Sequence, residues 1–319
     1  MDISVVIPLF NEDESLPELT AEIKAVMEAN GYDYEIIMVD DGSTDRSWAV
    51  LNELRAVNPR IKGIRFQRNY GKSAALQVGF QKAQGDVVFT MDADLQDRPQ
   101  HIPEFYKMIK EEGYDLVSGW KQKRKDPITK TIPTKLYNAV NRIVNGVSLH
   151  DMNCGFKAYR RQVVKSIEVY GEMHRYIPVI AKAAGFRKIG ELKVEHIARK
   201  YGVTKFGLNR FLNGFLDLLT ITFITKYMKR PMHFFGFWGV IFGMIGGFLL
   251  FGMYFLKLLG MTGLTSEYFI STHIPALFFA MITFLFGGLL LFTGLMAELI
   301  GRNSPFRNEY LVAEHLGLD

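Results

Sequence analysis

Over residues 1–120 the chain alternates short apolar runs with stretches of helical periodicity. The runs "ISVVI", "EIIMV", "IKGIRF", "DVVFTM" and "DLVSG" read as strands. Leu19, Ile23, Val26 and Met27 share one helical face, preceded by Ser15 and Glu18 at the spacing of a capping box. Trp48, Leu51 and Leu54 mark a second helix, and "KSAALQVGFQKAQ" predicts a third that stops at Gly85. The order β-α-β-α-β-α-β predicts an α/β fold, a mostly parallel sheet with helices on both faces.

Ligands of such sheets bind beyond the carboxyl ends of the strands. The polar clusters fall there: "NED" (11–13), "DDGSTD" (40–45), "RNYGKS" (68–73) and "DADLQD" (92–97) follow the first four strands in turn. Loops without a site would scatter such groups over both edges. A P-loop is excluded because Phe66 stands where its first glycine belongs, and no G-x-G-x-x-G follows the first strand. Asp92 and Asp94, alternate residues at the end of a buried strand, are predicted to face one cation, with the Gln96 carbonyl as a further donor. Hard oxygen donors select Mg²⁺ or Mn²⁺ over zinc, with substrate phosphate supplying other ligands. Asp97 has no assigned role and is expected to be the solvated aspartate of the three.

The apolar content is uneven. Residues 234–256 and 274–297 carry no charge, and each is long enough to cross a bilayer as a helix. Lys226, Lys229 and Arg230 precede the first span, Arg302 and Arg307 follow the second, and the connecting loop holds only the cation Lys257. That bias predicts both termini on the cytoplasmic side of the plasma membrane. Gly239, Gly243 and Gly247, with Gly287, Gly288 and Gly294, permit close helix packing, within a hairpin or between protomers of a homo-oligomer. Residues 208–230 place Asn209, Asn213, Asp217 and Thr220 on one stripe among Leu and Phe, the pattern of an interfacial helix. The predicted organisation is a cytoplasmic α/β domain (1–207), the interfacial helix (208–230), a two-helix membrane domain (231–300) and a cytoplasmic tail (301–319). "MDISVVIPLF" has neither a basic n-region nor a long apolar h-region, so no cleaved signal is expected. The single cysteine, Cys154, makes no intrachain disulfide. The net charge of +5 suits nucleic acid, an anionic membrane face or an anionic substrate, but no nucleic-acid recognition motif accompanies it.

"VVIPLFNEDESL", "VDDGSTD", "GDVVFTMDADLQDRP", "DMNCGFKAYRR" and "RKYGVTKF" together resemble the family 2 glycosyltransferases of the GT-A fold. Within them the resemblance is to the polyprenyl-phosphate branch that includes dolichol-phosphate mannosyltransferase and bactoprenol glucosyltransferase. It implies that Pro8, Phe10, Glu12, Val39 and Asp41 line a base and ribose pocket, with Tyr more usual at the position of Phe10. It implies a metal-diphosphate site at Asp92, Asp94 and Gln96, with Asp92, Ala93 and Asp94 binding the nucleotide-sugar and Asp92 alternatively reaching the ribose or sugar. Arg199 and Lys205 would reach phosphates, and Asp151 would contact the donor sugar or orient the acceptor; Asp94, Asp151 and Arg199 form the catalytic set. Lys121, Arg124, Lys130 and Thr134, in the basic stretch 120–135, would hold an acceptor phosphate, although Arg is commoner in the family at the positions of Lys121 and Lys130. The implied reaction is inverting transfer of one hexosyl group from a UDP- or GDP-sugar to undecaprenyl phosphate. A processive polysaccharide synthase normally adds a Q-x-x-R-W motif and more spans. A non-catalytic membrane scaffold would have no need of intact Asp41, Asp92, Asp94 and Arg199.

Overall fold

A computed structural model describes residues 1–121, 146–195, 197, 220–227, 230–258 and 266–303. The chain divides into two compact units, Met1–Thr222 and Phe223–Asp319.

In the first unit the described strands are β1 (Ile3–Leu9), β2 (Tyr34–Asp40), β3 (Ile61–Arg65), β4 (Val87–Thr90), β5 (Leu116–Trp120), β6 (Lys157–Arg160) and β7 (Ile189–Lys193). They form one sheet in the order β3-β2-β1-β4-β6-β5-β7. All pairings are parallel except those of β6, which runs antiparallel to both β4 and β5. The five strands expected from the sequence are present. β6 and β7 were not expected: "KAYR" and "IGELK" are short and carry charge at their ends, so neither offers a clear apolar run.

The helices that position the site are α1 (Leu16–Ala29), α2 (Ser47–Val57), α3 (Lys72–Lys82) and α4 (Ile102–Lys110). Ile3, Val5, Ile7 and Leu9 of β1 join Leu16, Leu19, Ile23 and Met27 of α1 and Phe105 and Ile109 of α4 in one buried cluster. Strand pleating sends Val6 to the opposite face, where α3 lies against it. A Cβ at Gly79 would come within 2.3 Å of Val6 Cγ1, so the missing side chain sets how closely α3 approaches the sheet. Helices therefore cover both faces, as the sequence predicts.

Two local expectations are corrected. Ser15 makes no side-chain cap to α1; its hydroxyl instead donates to the Glu12 carbonyl at 2.9 Å, and Pro17 in the first turn starts the helix. The third helix ends at Lys82 rather than running on to Gly85.

The second unit contains helices Pro231–Leu258 and Ser266–Arg302. Their segments Pro231–Leu258 and His273–Ile300 contain 18-residue windows of mean hydropathy 2.0 and 2.3, and are long and apolar enough to cross a membrane. Large side chains such as Phe248, Phe251, Phe279 and Leu285 are exposed along them. The two helices pack through small residues. A Cβ at Gly239 would lie 2.9 Å from the Gly287 carbonyl oxygen, one at Gly246 2.4 Å from Phe284 N, and one at Gly294 3.0 Å from Phe235 Cβ. Gly239, Gly246, Gly287 and Gly294 thus serve contacts within the hairpin, while a Cβ at Gly243 or Gly288 would meet nothing within 4 Å. Of the predicted interfacial helix, residues 220–227 are helical and 208–219 lie outside the described residues.

Candidate active site

The first four polar clusters are tied to one another at the carboxyl ends of adjacent parallel strands. Asn11, in the left-handed region at φ 57°, donates its N–H to Ser43 Oγ at 2.9 Å, and its side-chain oxygen accepts from Thr44 N at 2.9 Å. Glu12 N donates to Ser47 Oγ at 2.9 Å, which binds the loop after β1 to the start of α2. Pro8 and Val39 stand opposite each other in the β1–β2 register, one residue before the strands end.

Asp41 fastens the third cluster. Its buried carboxylate accepts from Tyr70 N at 2.7 Å and Gly71 N at 2.9 Å. Burial raises its pKa, and these two bonds oppose the rise without cancelling it. Asp41 therefore shapes the loop that leads into α3, and each of its oxygens keeps a further lone pair.

That loop delivers Lys72, the first residue of α3, onto the carboxylate of Asp92, where its ammonium donates to Oδ1. Burial would raise the Asp92 pKa, but Lys72, with Lys121 farther out, brings it down to about 2. On the other side Gly155 lies so close that a Cβ there would sit 2.5 Å from Asp92 Oδ2. Asp92 is thus paired with an ammonium and approached by a residue that has no side chain.

Asp92 and Asp94 are not set by the strand pleat, as the sequence reading supposed. β4 ends at Thr90, and Ala93 and Asp94 lie in a turn. Leu95 adopts φ 59°, a strained conformation for a branched side chain and one concentrated at functional sites. The turn lets Gln96 N donate to Asp94 Oδ1 at 3.2 Å. Asp94 and Ala93 are buried, and Gln96 is half-buried. Two carboxylates and an amide would offer a metal oxygen donors only, the chemistry that suits Mg²⁺ or Mn²⁺. Among the described residues no cluster of three or more His, Cys, Asp or Glu side chains assembles a cage without substrate.

Asp97 is the clearest correction. It is only 2% exposed and pairs with Lys121 Nζ at 2.8 Å, so it is not solvated surface. Burial works against the charge on Lys121, and the Asp97 carboxylate outweighs it, so the ammonium is held above its usual pKa. Arg124, Lys130 and Thr134, and likewise Arg199 and Lys205, lie outside the described residues.

Asp151 is buried, and its Oδ1 accepts from Asn153 N at 3.1 Å. Its backbone is set by β7: Glu191 Oε1 accepts from His150 N at 2.6 Å and Asp151 N at 3.1 Å. Glu191 Oε2 meets His150 Nδ1 at 2.7 Å, and the His150 ring stacks on Trp120 at 4.2 Å.

Residues 4–168 match glycosyl transferase family 2. The chain belongs to this family. It is 36% identical, over 95% of its length and 88% of the relative's, to a dodecaprenyl-phosphate galacturonate synthase of Rhizobium johnstonii. It is 35% identical, over 94% of its length and 87% of the relative's, to an undecaprenyl-phosphate 4-deoxy-4-formamido-L-arabinose transferase of Shewanella sediminis. Its fold is shared with glucosyl-3-phosphoglycerate synthase from Mycobacterium tuberculosis in complex with uridine diphosphate, at a TM-score of 0.54 and 20% identity, over 70% of this chain and 79% of that one. The α/β architecture is that of the GT-A transferases.

In this family 2 transferase the sequence reading missed three cationic or titratable groups around Asp92. Lys72 lay in "GKS", a tripeptide tested only as a P-loop ending. Lys157, on the unexpected β6, is buried and donates to the Cys154 carbonyl, and burial lowers its pKa. His174 contacts Ser73 Oγ through Nδ1 at 3.1 Å; burial, reinforced by Lys72 and Arg175, drops its pKa to about 2, so the ring is neutral. With Asn153, Gly155 and Arg175 these three side chains line a cavity of about 20 Å³, space for a single water.

Proposed function

We propose that the protein transfers one hexosyl group from a UDP- or GDP-sugar to a polyprenyl phosphate such as undecaprenyl phosphate at the cytoplasmic face of the plasma membrane, with inversion. The observation that carries this is the fusion of four strand-end loops around Asp41, Asp92 and Asp94, in a chain that also has two membrane-length helices and aligns along nearly its whole length with polyprenyl-phosphate sugar transferases.

Pro8, Phe10, Glu12, Val39 and Asp41 receive the base and ribose, the aromatic ring packing on the base and the carboxylates accepting from N–H or hydroxyl groups. Asp92, Asp94 and Gln96 hold the metal and diphosphate. A divalent cation there supplies Lewis-acid neutralisation of the departing nucleoside diphosphate. Arg199 and Lys205 hold phosphate oxygens.

The acceptor phosphate carries about −1.5 to −2 charge at neutral pH, by analogy with phosphorylated side chains. It needs cations to hold it more than a base to activate it. Lys121, Arg124, Lys130 and Thr134 take that role; Lys121 has three N–H donors, of which Asp97 engages one side. Asp151, fixed by Glu191, contacts the donor sugar or orients the acceptor rather than abstracting a proton. Both termini and the catalytic unit face the cytoplasm in this reading.

The test is incubation of purified full-length protein with polyprenyl phosphate, Mg²⁺ or Mn²⁺, and a panel of radiolabelled UDP- and GDP-sugars. Label passing into the organic phase identifies the donor; label in water-soluble polymer would point instead to a processive synthase.

A further inference from the structure

The Lys72–Asp92 contact joins two groups that the proposed reaction must separate. Asp92 Oδ1 is taken by the Lys72 ammonium, and a Cβ at Gly155 would come within 2.8 Å of both carboxylate oxygens, so no side chain larger than hydrogen fits there. A cation approaching Asp92 therefore meets a carboxylate already paired with an ammonium. Lys72 and Asp92 are 31% and 32% exposed, so the pair is open to exchange with solvent ions.

The other cations nearby are engaged or neutral. Lys121 pairs with Asp97, Arg175 pairs with Glu172 at 3.0 Å, His174 is neutral, and Lys157 is buried against the Cys154 carbonyl. Lys72 is also not free to drift with its loop, because Asp41 holds the two residues before it through Tyr70 N and Gly71 N. The ammonium can leave Asp92 by side-chain rotation alone, with the backbone of its helix start fixed.

We propose that Lys72 is an intramolecular stand-in for the metal, occupying Asp92 until nucleotide and divalent cation arrive together. This inference rests on the metal-diphosphate reading of Asp92, Asp94 and Gln96. A divalent ion beside an unmoved ammonium would suffer like-charge repulsion, so the metal binds weakly to the protein alone. A donor diphosphate brings negative charge that offers Lys72 a new partner. The Lys72 ammonium would pass from carboxylate to phosphate, leaving Asp92 to hold the metal, and nucleotide and metal would strengthen each other's binding by the same factor. No covalent bond changes in this exchange.

The experiment is Mn²⁺ titration of the full-length protein in detergent, followed by electron paramagnetic resonance of free Mn²⁺, with and without UDP, for wild type, Lys72→Met and Lys72→Arg. Thermal melting of each preparation establishes that it is folded. Removal of the competing charge is expected to tighten Mn²⁺ binding without UDP about tenfold in Lys72→Met, to shrink the enhancement by UDP, and to leave Lys72→Arg close to wild type. Equal or weaker Mn²⁺ binding by folded Lys72→Met without UDP would overturn the proposal while leaving the metal site standing. Absence of Mn²⁺ binding in every form, UDP present, would overturn the metal reading and the proposal with it.

Discussion

Lys121 and Asp97 form a buried ion pair, 2.8 Å apart, at the edge of the DAD turn. Among the described residues no other hydrogen-bond donor satisfies the Asp97 oxygens, so the lysine is the carboxylate's main compensation. Removing one partner from such a pair leaves an uncompensated charge and costs about 3–5 kcal/mol, whereas replacing both by neutral groups is far milder. Lys121→Met and Asp97→Ala should each lower the melting temperature sharply, and Lys121→Met with Asp97→Asn should recover most of the loss. Chemical denaturation of the four forms measures it.

Glu35 ties stability to pH. It lies on β2, accepts from Ser4 Oγ at 2.6 Å and Gln84 N at 2.8 Å, and pairs with Lys62 at 2.6 Å. Burial pushes its pKa up, but those bonds together hold it below the ordinary 4.5. A carboxyl depressed in the folded state contributes stability that is complete above its unfolded value and drains away as pH falls through the folded one. Glu35→Gln should therefore be less stable than wild type at neutral pH, with the gap closing below pH 4.5. Stability measured as a function of pH for both forms tests this.

Much of this arrangement was legible in the chain. The period-2 and period-3.6 patterns placed β1 to β5 and the buried stripe of α1, and the polar clusters located the site because they fall after consecutive parallel strands. The antiparallel β6 was hidden because four residues flanked by arginine and lysine carry too little periodicity. With β6 and β7 unseen, the partners they carry, Lys157 and Glu191, went unseen too. Asp97 was misjudged because its burial depends on a lysine 24 positions away in sequence, a contact that no local pattern encodes.

Asp41 should matter for loop order as well as for ligand. Asp41→Ala leaves Tyr70 N and Gly71 N without their acceptor. The expected outcome is faster proteolytic cleavage within residues 68–71 and a rise of about tenfold or more in KM for the sugar nucleotide. An unchanged cleavage pattern would show that the loop does not depend on this carboxylate.

The hairpin glycines divide into packed and open positions. Gly246→Ile would drive a side chain into the Phe284 backbone, whereas Gly243→Ile points into open space. The first should destabilise the full-length protein in detergent by several degrees and the second should not. Thermal unfolding of both variants compares them directly.

In the proposed function, sugar moves onto lipid phosphate through the DAD carboxylates. Membranes containing wild-type protein or Asp94→Ala at equal abundance, given polyprenyl phosphate, Mn²⁺ and the labelled sugar nucleotides, test it in one measurement. Label should enter the organic phase with wild type and transfer should be lost in Asp94→Ala, with both proteins in the membrane fraction. Equal transfer by Asp94→Ala, or no lipid-linked label from any donor with wild type, would contradict it.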